Sequence, residues 1–188
     1  MAIRIFIDQG HNPQNPNAGS EGNGLREQDI TYDIGNRLAQ LLRQNGNFDV
    51  RTSRTSPTQI LGTSNATSLQ ARVNAANQFG ADAFISIHTN ASENPSASGA
   101  EALVYQTGTA AARLAEDILT SLTRQTGLRD RGVKARPGLY VLRRTAMPAV
   151  LVETGFITNA GDASILTDRA NDVARGIYNG ILEYYGLR

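Results

Sequence analysis

The sequence predicts an α/β domain: a six-stranded mixed, largely parallel sheet flanked by helices on both faces. Three observations carry this. Short β-branched or apolar runs alternate along the chain with stretches whose apolar residues recur at helical spacing. Turn-forming Gly, Asn and Pro separate them. No internal repeat or linker breaks the alternation, so residues 1–188 read as one domain, within the usual ~100–200 residues.

Ile3, Ile5 and Ile7 with Phe6 predict a first strand ending at the turn signal Asp8-Gln9-Gly10. Residues 12–24, rich in Asn, Pro and Gly, read as a long surface loop too polar for the core. From Gln28 to Gln44 the spacing of Ile30, Ile34, Leu38, Leu41 and Leu42 predicts a helix stopped by Gly46. Phe48 to Thr52 is a second strand. A capping box at Thr67-Ser68-Leu69-Gln70 opens a helix through Val73, Ala76 and Phe79 that ends at Gly80. Ala83 to Ile87 and Gly99 to Gln106 are the third and fourth strands. A helix carrying Leu114, Ile118, Leu119 and Leu122 then runs to Gly127. Leu139 to Leu142 and Ala149 to Val152 complete the strands, and a helix with Val173, Ile177 and Ile181 closes at Gly186.

Composition excludes several function classes. With 40% hydrophobic and 19% charged residues the chain buries a real core, and its net charge of +1 makes no global case for nucleic acid or membrane. Zero cysteines exclude disulfides, thiolate catalysis, Fe–S clusters and Cys-ligated zinc. Of the 18 basic residues only Lys134 is a lysine, in an Arg-rich stretch, which argues against amine nucleophiles. The amino-terminal apolar run is too short for a signal peptide or membrane span. Residues 124–144 hold seven cations against Asp130 alone, a solvated basic face or an attractor for an anionic polymer.

Only two histidines exist, His11 and His88, following the first and third strands. Glu153 ends the sixth, after three apolar residues, where an unpaired carboxylate is costly. Ligands in open α/β sheets bind beyond the carboxyl ends of the strands, so these three residues converge on one edge. Two His and one carboxylate are a common catalytic zinc set, although the H-E-x-x-H spacing is absent. Glu27, at the mouth of the first helix, is the best acid for the third ligand. Its position also suits an ordinary helix N-terminal acid.

The segments IFIDQGHN, GLREQDITYDIGNRL, ARVNAANQFGADAFISIHTN, SGAEALVY and MPAVLVETGFITN resemble, in order, the zinc-dependent N-acetylmuramoyl-L-alanine amidases of the amidase-3 type. The resemblance runs from Ile3 to Leu182. It implies a single catalytic domain over 1–188, with one zinc ion on His11, Glu27 and His88 and with Glu153 as the catalytic acid/base. It implies peptidoglycan as substrate, cut between the lactyl group of N-acetylmuramic acid and L-alanine, and a monomer acting at the bacterial cell wall. No nucleic-acid partner and no membrane span are expected. With no signal peptide in the chain, export would need a signal since removed, or release by lysis. Where the family has Asp-Pro-Gly-His-Gly-Gly around the first His, this chain has Gln9 and Asn12, expected in a loop where they bear on the cleft and not on the ligand set. Only residues 91–98 separate Asn90 from Gly99, too few for the helix that covers the zinc in some relatives, which implies a site open without an activator. Asp8 is a candidate partner orienting His11. A wall-binding module without turnover, a glycosidase using Glu27 and Glu153, and a nucleic-acid binder using residues 124–144 are the competing readings.

Overall fold

The computed structural model describes residues 2–187. Strands β1 (Ile3–Gln9), β4 (Phe48–Thr52), β5 (Ala83–Asn90), β6 (Ala100–Val104), β7 (Asp130–Ala135) and β8 (Ala149–Phe156) form one six-stranded sheet in the order β4-β1-β5-β8-β6-β7. Every neighbouring pair is parallel except β6 with β8. The sheet is thus mixed and largely parallel, as its alternating helices require.

Helices α1 (Glu27–Asn45), α3 (Ala110–Thr126) and α6 (Ala170–Tyr184) cover one face. Ile5, Ile7, Ile85, Ile87, Val150 and Val152 point into that layer. Helices α2 (Asn65–Phe79) and α4 (Tyr140–Arg144) cover the other face, over Phe6, Phe84, Leu103 and Leu151. Strands buried on both faces explain the unbroken apolar runs. α3 and α6 approach until backbones touch: a Cβ on Gly180 would stand 2.3 Å from Ile118 Cα.

Three local expectations are corrected. The fifth strand is β7, and residues 139–142 enter α4 instead. β7 is a part-exposed edge strand, DRGVKA, whose one large apolar residue, Val133, packs against the core, so it lacks an alternating apolar pattern. Helix α2 starts one turn earlier than expected, with Ser64 as N-cap: its hydroxyl accepts from Thr67 N at 3.1 Å while Ser64 N donates to Thr67 Oγ1 at 2.9 Å. A helix absent from the sequence reading, α5 (Ala160–Asp168), is capped by Asn159. At the end of the 12–24 loop, β2 (Glu21–Gly22) pairs antiparallel with β3 (Leu25–Arg26) just beyond it.

Candidate functional site

His11, Glu27 and His88 come from three elements. His11 sits just past β1 in the left-handed region at φ 67°, Glu27 opens α1, and His88 lies in β5 and not beyond it. Each offers one ligand atom, and the three atoms lie within 4.8 Å of one another. His11 Nε2 is 3.2 Å from Glu27 Oε2, and His88 Nδ1 is 3.1 Å from Glu27 Oε1. Glu27 is pinned further by two backbone donors, Ser20 N at 2.9 Å to Oε2 and Thr89 N at 2.9 Å to Oε1. Burial pushes its carboxyl pKa up, but the hydrogen bonds and charges of His11 and His88 outweigh that and hold it well below the usual carboxylate range. Glycine makes the packing possible: a Cβ on Gly10 would meet the His88 ring at 2.5 Å, and one on Gly19 would meet Glu27 at 2.8 Å. Two imidazole nitrogens aimed at one anchored carboxylate suit a divalent cation, since all three carry electron pairs toward one point.

Glu153 stands in register with His88 on the neighbouring strand β8. In-register neighbours project to the same face, which brings this carboxylate beside the three donors. Its Oε2 is shielded from solvent and has no hydrogen-bond partner among the described residues. Burial, then the charges of Glu27 and Glu101, push its pKa up to about 8. A carboxyl group tuned toward neutrality in a cleft is suited to passing a proton. On the same face, next to His11 and His88, a cavity of about 120 Å³ is lined by Leu69, Leu139, Tyr140 and Leu151.

The scaffold behind His11 was not anticipated. Asp8 does not orient the ligand; it is buried and bonded to Arg72 Nη1 at 2.6 Å and to Ser86 Oγ at 2.8 Å. Arg72, also buried, donates onward to the carbonyls of Gln9 at 2.6 Å and His11 at 2.5 Å. It thereby fixes the strained turn that carries His11. Gln9 lies within β1, where its side chain accepts from Arg54 N at 2.9 Å and donates to Asn36 Oδ1 at 3.1 Å. Asn12 is buried, tied to Leu61 through both backbone groups and to the Pro16 carbonyl. Both are structural polar anchors, not free loop residues. One signal for Arg72 was present: an arginine between Leu69 and Val73 on the apolar stripe of a helix.

The family profile described as N-acetylmuramoyl-L-alanine amidase matches residues 5–183. The chain belongs to this amidase family. Among amidase relatives, LytC of Bacillus subtilis (strain 168) is 43% identical over 185 residues, which are 96% of this chain and 35% of LytC. CwlM of Bacillus licheniformis is 38% identical over 189 residues, 98% of this chain and 70% of CwlM. The catalytic domain of the amidase CwlV from Bacillus (Paenibacillus) polymyxa var. colistinus superposes with a TM-score of 0.86 at 30% identity, covering 99% of both chains. An amidase from Clostridium difficile 630 gives a TM-score of 0.87 at 31% identity over 98% of this chain and 97% of that one. The amidase fold therefore accounts for the whole sheet and its helices, and no helix among the described residues is long and apolar enough to cross a membrane.

Proposed function

We propose that residues 1–188 form one catalytic domain of a zinc-dependent peptidoglycan amidase. It hydrolyses the amide between the lactyl carbonyl of N-acetylmuramic acid and the amine of L-alanine. The observation that carries this reading is the convergence of His11, Glu27 and His88 within 4.8 Å, with the unpartnered Oε2 of Glu153 on the adjacent strand. His11 Nε2, Glu27 and His88 Nδ1 would hold the ion. When bound there, zinc supplies Lewis acidity toward a carbonyl oxygen and toward water.

Glu153 moves the proton. As a carboxylate it takes one proton from the attacking water at Oε2 while the water oxygen bonds to the lactyl carbonyl carbon. It then delivers that proton to the alanine nitrogen as the carbon–nitrogen bond breaks, leaving a lactyl acid and a free amine. The Glu27 contribution to its raised pKa is offset when a cation is held at Glu27, which favours the proton-accepting form.

The protein acts at the bacterial cell wall, as a monomer, with no nucleic-acid partner. Residues 91–98 form no helix over the site, so it works without an activator. Digesting purified peptidoglycan with and without chelator, then identifying the new ends by mass spectrometry, tests the reading. Free L-alanine amines that appear only with metal are expected. New reducing sugar ends, with or without metal, would replace it with a glycosidase.

A further inference from the structure

The row of polar side chains that crosses the sheet does not stop at Glu153. Glu101 on β6 is in register with Glu153 on the side away from His88. His88, Glu153 and Glu101 thus run in one line across β5, β8 and β6, on one face. The line continues onto β7, where Arg131 Nε is 3.2 Å and Lys134 Nζ 2.5 Å from the same Glu101 Oε2. Glu101 is buried, whereas the side chains of Arg131 and Lys134 are 29% and 34% exposed.

One carboxylate therefore faces two cations, and neutralising Glu101 requires only one. Arg131 is held in place besides: Nη1 donates to the Ser98 carbonyl at 3.2 Å, and the guanidinium lies 4.9 Å from the centre of the Phe156 ring. Its Nη2 makes no hydrogen bond among the described residues. The Lys134 ammonium has three donors, of which Glu101 takes one. The other arginines of the basic stretch, such as Arg129, Arg136 and Arg143, are exposed and carry no such arrangement. Charged donors left unspent on two half-buried, oriented cations mark a place for an anion.

The proposed reaction sets the direction of the substrate. The acyl carbon sits toward His11, Glu27 and His88, while the nitrogen that receives the proton sits at Glu153. The peptide half then extends from Glu153 toward β6 and β7. Strands lie about 4.8 Å apart, so β7 is two spacings, about 10 Å, from β8. An extended peptide advances about 3.3 Å per residue, which brings the second or third residue after the scissile amide over β7. We propose that Arg131 and Lys134 form a carboxylate subsite that selects an acidic residue at the second or third position of the stem peptide. The inference rests on the amidase reading for the identity of the substrate.

The test uses zinc-loaded wild-type protein and soluble lactyl-alanyl tripeptides in matched pairs. Members of a pair differ only in carrying a carboxylate or a carboxamide, at the second residue in one pair and at the third in the other. For at least one pair the carboxylate is expected to raise kcat/KM about tenfold or more, through KM, by an amount that shrinks as salt is added. In Lys134→Met and in Arg131→Gln the carboxylate-to-carboxamide ratio is expected to fall toward one, whatever the absolute rates. Equal kcat/KM within both wild-type pairs overturns the subsite, and that comparison needs no variant to fold. Calorimetric binding of the free tripeptides to the same protein separates this failure from failure of the amidase reading. Selective binding of the acidic peptide without hydrolysis of any substrate would keep the subsite and remove the reaction. Hydrolysis without selectivity would keep the reaction and remove the subsite. The absence of both would remove both.

Discussion

Replacing Arg72 with methionine strands a buried carboxylate, and its effect on stability changes with pH. In the native protein Arg72 bonds Asp8 and the Gln9 and His11 carbonyls, and both charged partners are almost fully buried. Methionine fills much of the volume but leaves Asp8 with Ser86 Oγ alone. Removing one partner of a buried ion pair costs about 3–5 kcal/mol. In the wild type, burial raises the Asp8 pKa, but the Arg72 charge and the hydrogen bonds of Arg72 and Ser86 together hold it below its ordinary value. That stabilisation is present above the unfolded pKa of about 3.9 and is lost as pH falls through the depressed folded value. In Arg72→Met burial dominates and the folded pKa rises above the unfolded one. The variant then loses stability as pH rises from about 4 toward its new pKa. The gap between the two proteins should be widest near pH 7 and narrow toward pH 4.5. Urea denaturation at both pH values measures it: with a slope of about 1–3 kcal/mol per molar, the midpoint should fall by more than about 1 M at neutral pH. If the variant does not fold at pH 7, Asp8→Asn combined with Arg72→Met should restore part of the loss. A gap below about 1 kcal/mol, or one that widens on acidification, would refute the argument.

The proposed proton carrier is separable from the metal donors. Glu153→Gln should lower turnover roughly 10²–10⁴-fold with zinc content near that of the wild type, measured on one preparation; near-native activity in a folded, loaded protein would remove Glu153 from the mechanism. His88→Ala should stay folded but lose zinc affinity by more than the ~10–100-fold typical of an outer partner, read by chelator competition. Gly180→Ala should destabilise in thermal or urea unfolding, because fitting the added methyl, 2.3 Å from Ile118 Cα, costs about 1–3 kcal/mol. That outweighs the gain of about 1 kcal/mol expected from helix propensity, so a net stabilisation would mean the α3–α6 contact yields easily.

What could be read from the sequence follows a physical divide. β1, α1, β4, α3, β8 and α6 announce themselves because burying a face forces a periodic apolar pattern and glycine stops it. β7 carries Asp130, Arg131 and Lys134 on an exposed edge, so no pattern exists to detect, while Leu139, Val141 and Leu142 are apolar enough to imitate a strand but pack as one helical turn. The site divides in the same way. His11 follows β1, His88 and Glu153 come after the apolar runs of β5 and β8, and Glu27 opens α1, positions where local chemistry is visible without tertiary knowledge. Asp8, Gln9, Asn12 and Arg72 make sense only as partners of one another across distances of up to 64 residues in the chain. Glu101 was readable by the reasoning applied to Glu153, as an acid inside the apolar run Ala100 to Val104.

Lys134 is the sole lysine of the 188 residues, and it sits on an edge strand with its side chain a third exposed. Acylating reagents that discriminate lysine from arginine therefore have one side-chain target in the sequence. The charge at that position can be erased in the folded protein by chemistry instead of mutagenesis, reagent by reagent and to any chosen extent. A spectroscopic reporter can likewise be seated on β7 without introducing a cysteine. Lysine-directed proteolysis of the denatured chain cuts once, after residue 134, so the extent of modification can be read from the loss of that single cleavage.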